Sequence, residues 1–247
     1  MWKKTGFVVG VLFISLLAGI SCNKKITDVE VIPLDGRGGG VIAYCYQPLT
    51  GNFNHQIFIM NADGSADQPL IEATIGLNHH DWSPNAQMLA AVGYVSLSTW
   101  SIYIFNADGT GLTRLTTTNN VNDTEPNWSP DGTQIVFTRI YPTQNDRTEV
   151  WMMDVDGSNQ QTIGIEGFAA KWSVDGIRFI YQSSLRDPSD IFTCNVNGTD
   201  VQQITVTTFD ENMPAYSPDG TQIAFGTDRD RNHEIYVMNE MDRIHNV

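Results

Sequence analysis

One five-residue phrase recurs along this chain at a nearly constant spacing, and a fixed repeat restricts the possible folds more than composition does. It reads Trp128-Ser129-Pro130-Asp131-Gly132 and returns as Trp82-Ser83-Pro84-Asn85-Ala86, Trp172-Ser173-Val174-Asp175-Gly176 and Tyr216-Ser217-Pro218-Asp219-Gly220. Successive copies lie 46, 44 and 44 residues apart. A second phrase falls between them: Asn61-Ala62-Asp63-Gly64, Asn106-Ala107-Asp108-Gly109, Asp154-Val155-Asp156-Gly157 and Asn195-Val196-Asn197-Gly198. Both phrases are turn chemistry. Proline presets φ at the second turn position, aspartate bonds local backbone, and glycine accepts the left-handed geometry that lets the next strand pair.

Between the turns lie short strand-like runs. In the third period these are Glu125-Pro126-Asn127-Trp128, Gln134-Ile135-Val136-Phe137, Glu149-Val150-Trp151-Met152-Met153 and Gln160-Gln161-Thr162-Ile163. Each period thus predicts four strands, with tight turns after the first and third. Repeated four-stranded units of this length are the blades of a β-propeller, stacked because one blade cannot bury both of its faces. The expected fold is all-β: a β-propeller of about five four-stranded antiparallel blades. The Trp or Tyr before each first turn is assigned to packing between blades. The fifth period stops after its third strand, so the last blade is either incomplete or closed by an N-terminal strand beginning at Ile26.

The phrase Pro126-Asn127-Trp128-Ser129-Pro130-Asp131-Gly132-Thr133-Gln134-Ile135-Val136-Phe137, repeated with Tyr216 from Pro214 to Phe225, resembles the repeat of TolB-type propellers. The resemblance covers nearly all of the chain after the first segment and implies the propeller fold. It says little about activity, because similar repeats serve in TolB, in the propellers of prolyl-oligopeptidase-like and tricorn-like peptidases, and in some polysaccharide lyases. TolB also carries an N-terminal α/β domain, for which the stretch from Cys22 to Val41 has no room, so the chain is expected to be distinct from TolB proper.

The first segment reads as an export signal. Lys3 and Lys4 precede an apolar run over residues 6–20, short of the roughly 20 residues a spanning helix needs. Leu17-Ala18-Gly19-Ile20-Ser21-Cys22 resembles the lipobox of bacterial lipoproteins, although Gly19 stands where that family prefers leucine. The resemblance implies lipidation of Cys22, and Asn23 after it fits outer-membrane delivery. The expected division is a lipoprotein-type signal peptide over 1–21, a short tether over 22–25 and a TolB-like propeller over 26–247.

Charge narrows the partners. Fourteen Lys and Arg against 28 Asp and Glu give a formal charge of −14. Such a balance argues against nucleic acid and against an anionic membrane surface as partners of the folded domain. The three cysteines form no CxxC pair, and Cys45 and Cys194 lie in strand-like runs as small apolar residues.

Variation identifies the binding face. The tight turns barely change between periods, whereas the opposite loops differ widely over 47–55, 94–100, 139–147, 183–189 and 227–233. The starts of the innermost strands are polar: Asn78, His79 and His80, then Asp123 and Glu125, Glu166, and Asp210, Glu211 and Asn212. A ring of this kind could hold a cation or a basic peptide. His79 and His80 are adjacent, so their rings cannot share one side of a regular strand, which weakens a metal reading. Residues 154–159 hint at a calcium loop but lack its closing bidentate glutamate, and read as a turn. Arg139, Arg186 and Arg229 follow second strands, where TolB-type repeats carry arginine, and are expected to tie loops to neighbouring blades through carboxylates. No Gly-x-Ser-x-Gly motif is present.

These features point to a non-catalytic scaffold of the bacterial cell envelope, monomeric and without a cofactor. It would bind a protein or peptide at the variable face and channel mouth, reach the membrane only through its lipid anchor, and take no nucleic acid. The alternatives are a polysaccharide- or oligosaccharide-binding or lyase-type propeller, or the propeller of a longer prolyl-oligopeptidase-like peptidase.

Overall fold

The computed structural model describes residues 11–12, 25–33, 40–47, 55–96, 99–183, 188–240 and 244–245. Five antiparallel sheets follow one another in chain order. The second blade consists of Leu77–Trp82, Met88–Ser96, Thr99–Asn106 and Thr113–Arg114. The third is Asn122–Trp128, Gln134–Tyr141, Arg147–Asp154 and Gln161–Thr162, and the fourth Gly167–Trp172, Arg178–Ser183, Ile191–Asn195 and Gln202–Gln203. Fourth strands are only two residues long, consistent with their weak sequence signal.

The two end blades differ from this plan. The first holds Lys25–Pro33, Gly40–Gln47, Gln56–Asn61 and Gln68–Pro69, with Val11–Leu12 paired along Lys25–Pro33. The expected alternative, in which the strand from Ile26 closes the last blade, is therefore corrected. That strand pairs with its neighbour in sequence, the pairing that costs least loop-closure entropy. Among the described residues the fifth blade has three strands, Glu211–Tyr216, Gln222–Thr227 and Glu234–Asn239. Ile244–His245 pairs in parallel with Thr205–Val206, outside that sheet.

The core lies between blades rather than within them. Ala90, Val92 and Ile102 of the second blade meet Trp128, Ile135, Phe137 and Met153 of the third. Trp82, Trp172 and Tyr216 occupy the same wedge position at the other junctions. Their assignment to inter-blade packing holds. Cys45 and Cys194 are free thiols buried in this core. Burial pushes the Cys194 thiol up to about 11.

The turns register one blade on the next. In the first turns of the second to fifth blades the serine Oγ bonds the Asp or Asn two residues on and accepts from the backbone N–H at the start of the second strand, as in Ser129 with Asp131 and Gln134. The second-turn glycines rest on the outer strand of the preceding blade. A Cβ at Gly109 would overlap the Leu70 carbonyl oxygen, and one at Gly198 the Ile163 carbonyl oxygen. Gly64 belongs to the first blade and meets nothing within 4 Å. Residues 154–159 form one of these turns, with the Gly157 N–H donated to the Asp154 carbonyl.

Candidate functional site

The five innermost strands share one irregularity, which in the first blade falls between Ile26 and Val29. In the other four a bulge interrupts the ladder between Asn78 and Asp81, Thr124 and Asn127, Phe168 and Lys171, and Asn212 and Ala215. The residue inside each of these four bulges is left-handed: His79 at φ 42°, Glu125 at 51°, Ala169 at 52° and Met213 at 49°. Non-glycine residues adopt this conformation at a cost, and a bulge re-aims the side chain it carries. The same position in successive blades therefore presents His, Glu, Ala and Met.

The bulges bring two of the expected residues together. His79 Nδ1 of the second blade lies 2.6 Å from Glu125 Oε1 of the third, with the His79 side chain 35% exposed and Glu125 only 5%. Burial pushes the Glu125 carboxyl up, but the charge and hydrogen bond of His79, with Lys171 behind them, more than offset this and hold it below its usual 4.5. Its contribution to stability is thus present above the unfolded value and lost as pH falls through the folded one. Glu125→Gln is expected to lower Tm most above about pH 4.5, with the gap from wild type narrowing on acidification. Thermal melts from pH 3 to 6 check it. His80 turns the other way. It is buried, with Nδ1 3.5 Å from Cys45 Sγ of the first blade. The two histidines do not converge, as their adjacency predicted.

The remaining expected residues do not form one ring. Asp123 takes a two-pronged bond from Arg139, Nε to Oδ1 at 2.7 Å and Nη2 to Oδ2 at 3.0 Å. Both residues are buried, and the guanidinium lies 4.2 Å from the Trp151 ring centre. Arg229 Nη2 donates to Glu211 Oε1 at 2.7 Å and sits 4.5 Å from the Tyr236 ring centre. Both arginines thus bond within their own blade, which corrects the expectation that they reach neighbouring blades. The reason is register: Asp123 stands directly across from Arg139, and Arg229 lies two residues beyond Thr227, the partner of Glu211. Burial pushes the Glu211 carboxyl above its usual range, only partly countered by Arg229 and the Thr207 and Thr227 hydroxyls. Asp210 accepts from the Ser189 backbone and hydroxyl, tying the fifth blade to the fourth. Glu166 lies 3.4 Å from Arg147 of the variable loop in the third blade, and Asn212 faces Gly226 across the fifth. Arg186 and Cys22 lie outside the described residues.

Sequence reasoning missed the polar ties between blades. Asp81 Oδ2 accepts from the Trp128 backbone N–H and from Asn127 Nδ2, both at 2.7 Å. Asn127 Oδ1 in turn accepts from the Trp172 N–H at 3.1 Å. The signal was the residue before each wedge aromatic, acceptor-bearing in Asp81-Trp82 and Asn127-Trp128 but not in Lys171-Trp172 or Ala215-Tyr216. Among the described residues no group of three or more His, Cys, Asp or Glu is placed to hold a metal ion, and no helix is long and apolar enough to cross a membrane.

The family profile described as the TolB beta propeller domain matches residues 56–246. The uncharacterized protein Atu1656 of Agrobacterium fabrum is 29% identical over 156 residues, which span 62% of this chain and 52% of that protein. The chain spans between about a third and a half of the curated relatives it matches. Among solved structures, TolB from Acinetobacter baumannii superimposes with a TM-score of 0.66 at 20% identity, over 81% of this chain and 53% of that one. An oligogalacturonate lyase in complex with manganese gives 0.64 at 14% identity, over 89% and 66%. At such identities the likeness is one of fold.

Proposed function

The chain belongs to the TolB β-propeller family, and from that premise we propose that it is a non-catalytic scaffold of the bacterial cell envelope, binding a protein or peptide at its variable-loop face and channel mouth. The observation that carries this reading is a contrast within one repeat. The turns keep the same hydrogen bonds from blade to blade, while the bulge position on the innermost strand changes from His79 to Glu125, Ala169 and Met213. A scaffold holds its frame constant and lets its recognition positions vary.

The loop of the third blade supplies the test. Residues 142–147 are exposed, and Arg139 beneath them is engaged by Asp123. Replacing residues 142–146 with a Gly-Ser linker is expected to remove partners captured from envelope extract and to leave Tm within about 2 °C of wild type. Capture of the same partners by the variant counts against the proposal.

Export and anchoring belong to the same reading: residues 1–21 as signal peptide, Cys22 lipidated, 22–25 as tether, and a monomeric propeller at the periplasmic or outer-membrane surface. Intact mass of protein purified from membranes decides it, since a mature chain without added acyl mass ends the proposal. The rival is a glycan-binding or lyase-type propeller, favoured by the half-exposed His79 beside a buried carboxylate. Loss of oligosaccharide binding in His79→Ala, with the extract partners retained, would favour the rival.

A further inference from the structure

Asn197-Gly198 is the one Asn-Gly step in the chain. It lies in the second turn of the fourth blade, where the first three blades carry Asp63-Gly64, Asp108-Gly109 and Asp156-Gly157. The hydrogen bonds around the position are nonetheless the same. Asn197 Oδ1 accepts from the Thr199 backbone N–H at 3.1 Å and from its hydroxyl at 2.6 Å, and Asn195 Nδ2 donates to that hydroxyl at 3.2 Å. In the second blade Asp108 Oδ1 takes the Thr110 N–H and hydroxyl at 2.9 and 2.6 Å, with Asn106 Nδ2 donating to the hydroxyl behind them. Asp63 does the same with Ser65 and Asn61. This relay suits a carboxylate, since hydrogen bonds to an ionised acceptor are the stronger ones. The hydroxyl bond, reinforced by the backbone one, holds the Asp63, Asp108 and Asp156 carboxyls below their usual range. The fourth blade fills the same relay with a neutral amide.

We propose that Asn197 is a site of spontaneous deamidation, which converts this turn to the Asp-Gly turn of the first three blades. Asparagine is among the chemically labile residues, most so before glycine, which has no side chain to hinder attack. Both donors meet Oδ1, so they draw electron density from Cγ and turn Nδ2 away from Thr199, on an exposed residue. Hydroxide from solvent takes the proton of the Gly198 nitrogen, and that nitrogen bonds to Asn197 Cγ. The Cγ–Nδ2 bond breaks, and Nδ2 leaves as ammonia with a proton from water. Water then opens the cyclic imide. Addition at Cγ breaks the new Cγ–N bond and yields aspartate. Addition at the main-chain carbonyl carbon breaks the peptide C–N bond and yields isoaspartate, with one extra methylene in the backbone. The fold requires the glycine, because its φ is +76° and a Cβ would overlap the Ile163 carbonyl oxygen. The same close seat separates the two products. Aspartate fits the relay, whereas the extra methylene lifts Gly198 off Ile163 and breaks its N–H bond to the Asn195 carbonyl, 2.8 Å long. That bond also sets the pace, since the attacking nitrogen is released only when the turn opens. The site lies in a tight turn, apart from the variable-loop face, so either reading can fail without the other.

The test incubates the full folded chain for weeks at neutral and at alkaline pH, and follows intact mass and fragment spectra. A gain of about 1 Da, the exchange of NH2 for OH, is expected at Asn197. It is expected to run faster at alkaline pH, and roughly tenfold slower than in guanidinium chloride, where the turn is always open. Asn197→Asp, which reproduces the aspartate product, is expected to show no gain and to melt within about 2 °C of wild type at neutral pH. The isoaspartate fraction of the aged chain, resolved by hydrophobic-interaction chromatography, is expected to melt roughly 5 °C or more below it. An unchanged Asn197 in the folded chain, over a period that converts it in guanidinium chloride, overturns the proposal. So does conversion of the other asparagines at an equal rate, or an isoaspartate fraction that melts with wild type.

Discussion

Gly198→Ala is expected to destabilise the chain by roughly 2–5 kcal/mol. Two costs combine. The residue sits at φ +76°, where an L side chain is strained, and its Cβ would overlap the Ile163 carbonyl oxygen of the preceding blade. Backbone cannot rotate out of the way as a side chain does, so the fourth and third blades must separate or the turn must open. A loss of this size lowers Tm by roughly 5–15 °C in a chain of this length. Gly64→Ala is the matched control. Its φ is +82°, but nothing lies within 4 Å of the added methyl, so only the conformational cost of roughly 1–2 kcal/mol remains. The difference between the two variants in denaturant unfolding measures how tightly a turn is seated on its neighbour. Equal losses would show that blade contact at this glycine contributes nothing.

Arg139→Ala is expected to cost roughly 3–5 kcal/mol, because it leaves the Asp123 carboxylate buried without its partner. The repeat suggests how the loss is recovered. At the same paired position the second blade has Leu77 opposite Gly93, and the fourth has Gly167 opposite Ser183. The fold therefore accepts this site without charge. Asp123→Leu combined with Arg139→Met is expected to restore most of the stability lost in the single variant, and denaturant melts of the three variants form the cycle that tests it. A double variant as unstable as Arg139→Ala would mean that stacking on Trp151, rather than the ion pair, holds this corner.

Blade number, turn positions and the role of the wedge aromatics were legible in the sequence because each rests on local chemistry. Pro130, Asp131 and Gly132 dictate a turn whatever surrounds them. Partner choice was less legible. That Arg139 binds within its blade depends on ladder register, and the bulge at Thr124–Asn127 resets register by an amount that periodicity does not reveal. The His79–Glu125 pair was hidden for the same reason, since glutamate is not a usual left-handed type and the bulge that aims both residues has no turn signature. Asp81 was overlooked because its acceptor role needs a neighbour 47 residues away.

The tie to the backbone of the wedge aromatic ends early. Asp81 holds Trp128 and Asn127 holds Trp172, but Lys171, next in the series, has no acceptor to offer the Tyr216 N–H. Seen as a one-dimensional stack with nearest-neighbour couplings, the molecule carries this staple from its second blade to its fourth, and the fifth is tied instead through Ser189 and Asp210 at the strand entrance. Cooperativity should be graded along the arc, with the central blades opening together and the fifth able to breathe or dissociate from the rest at lower free energy.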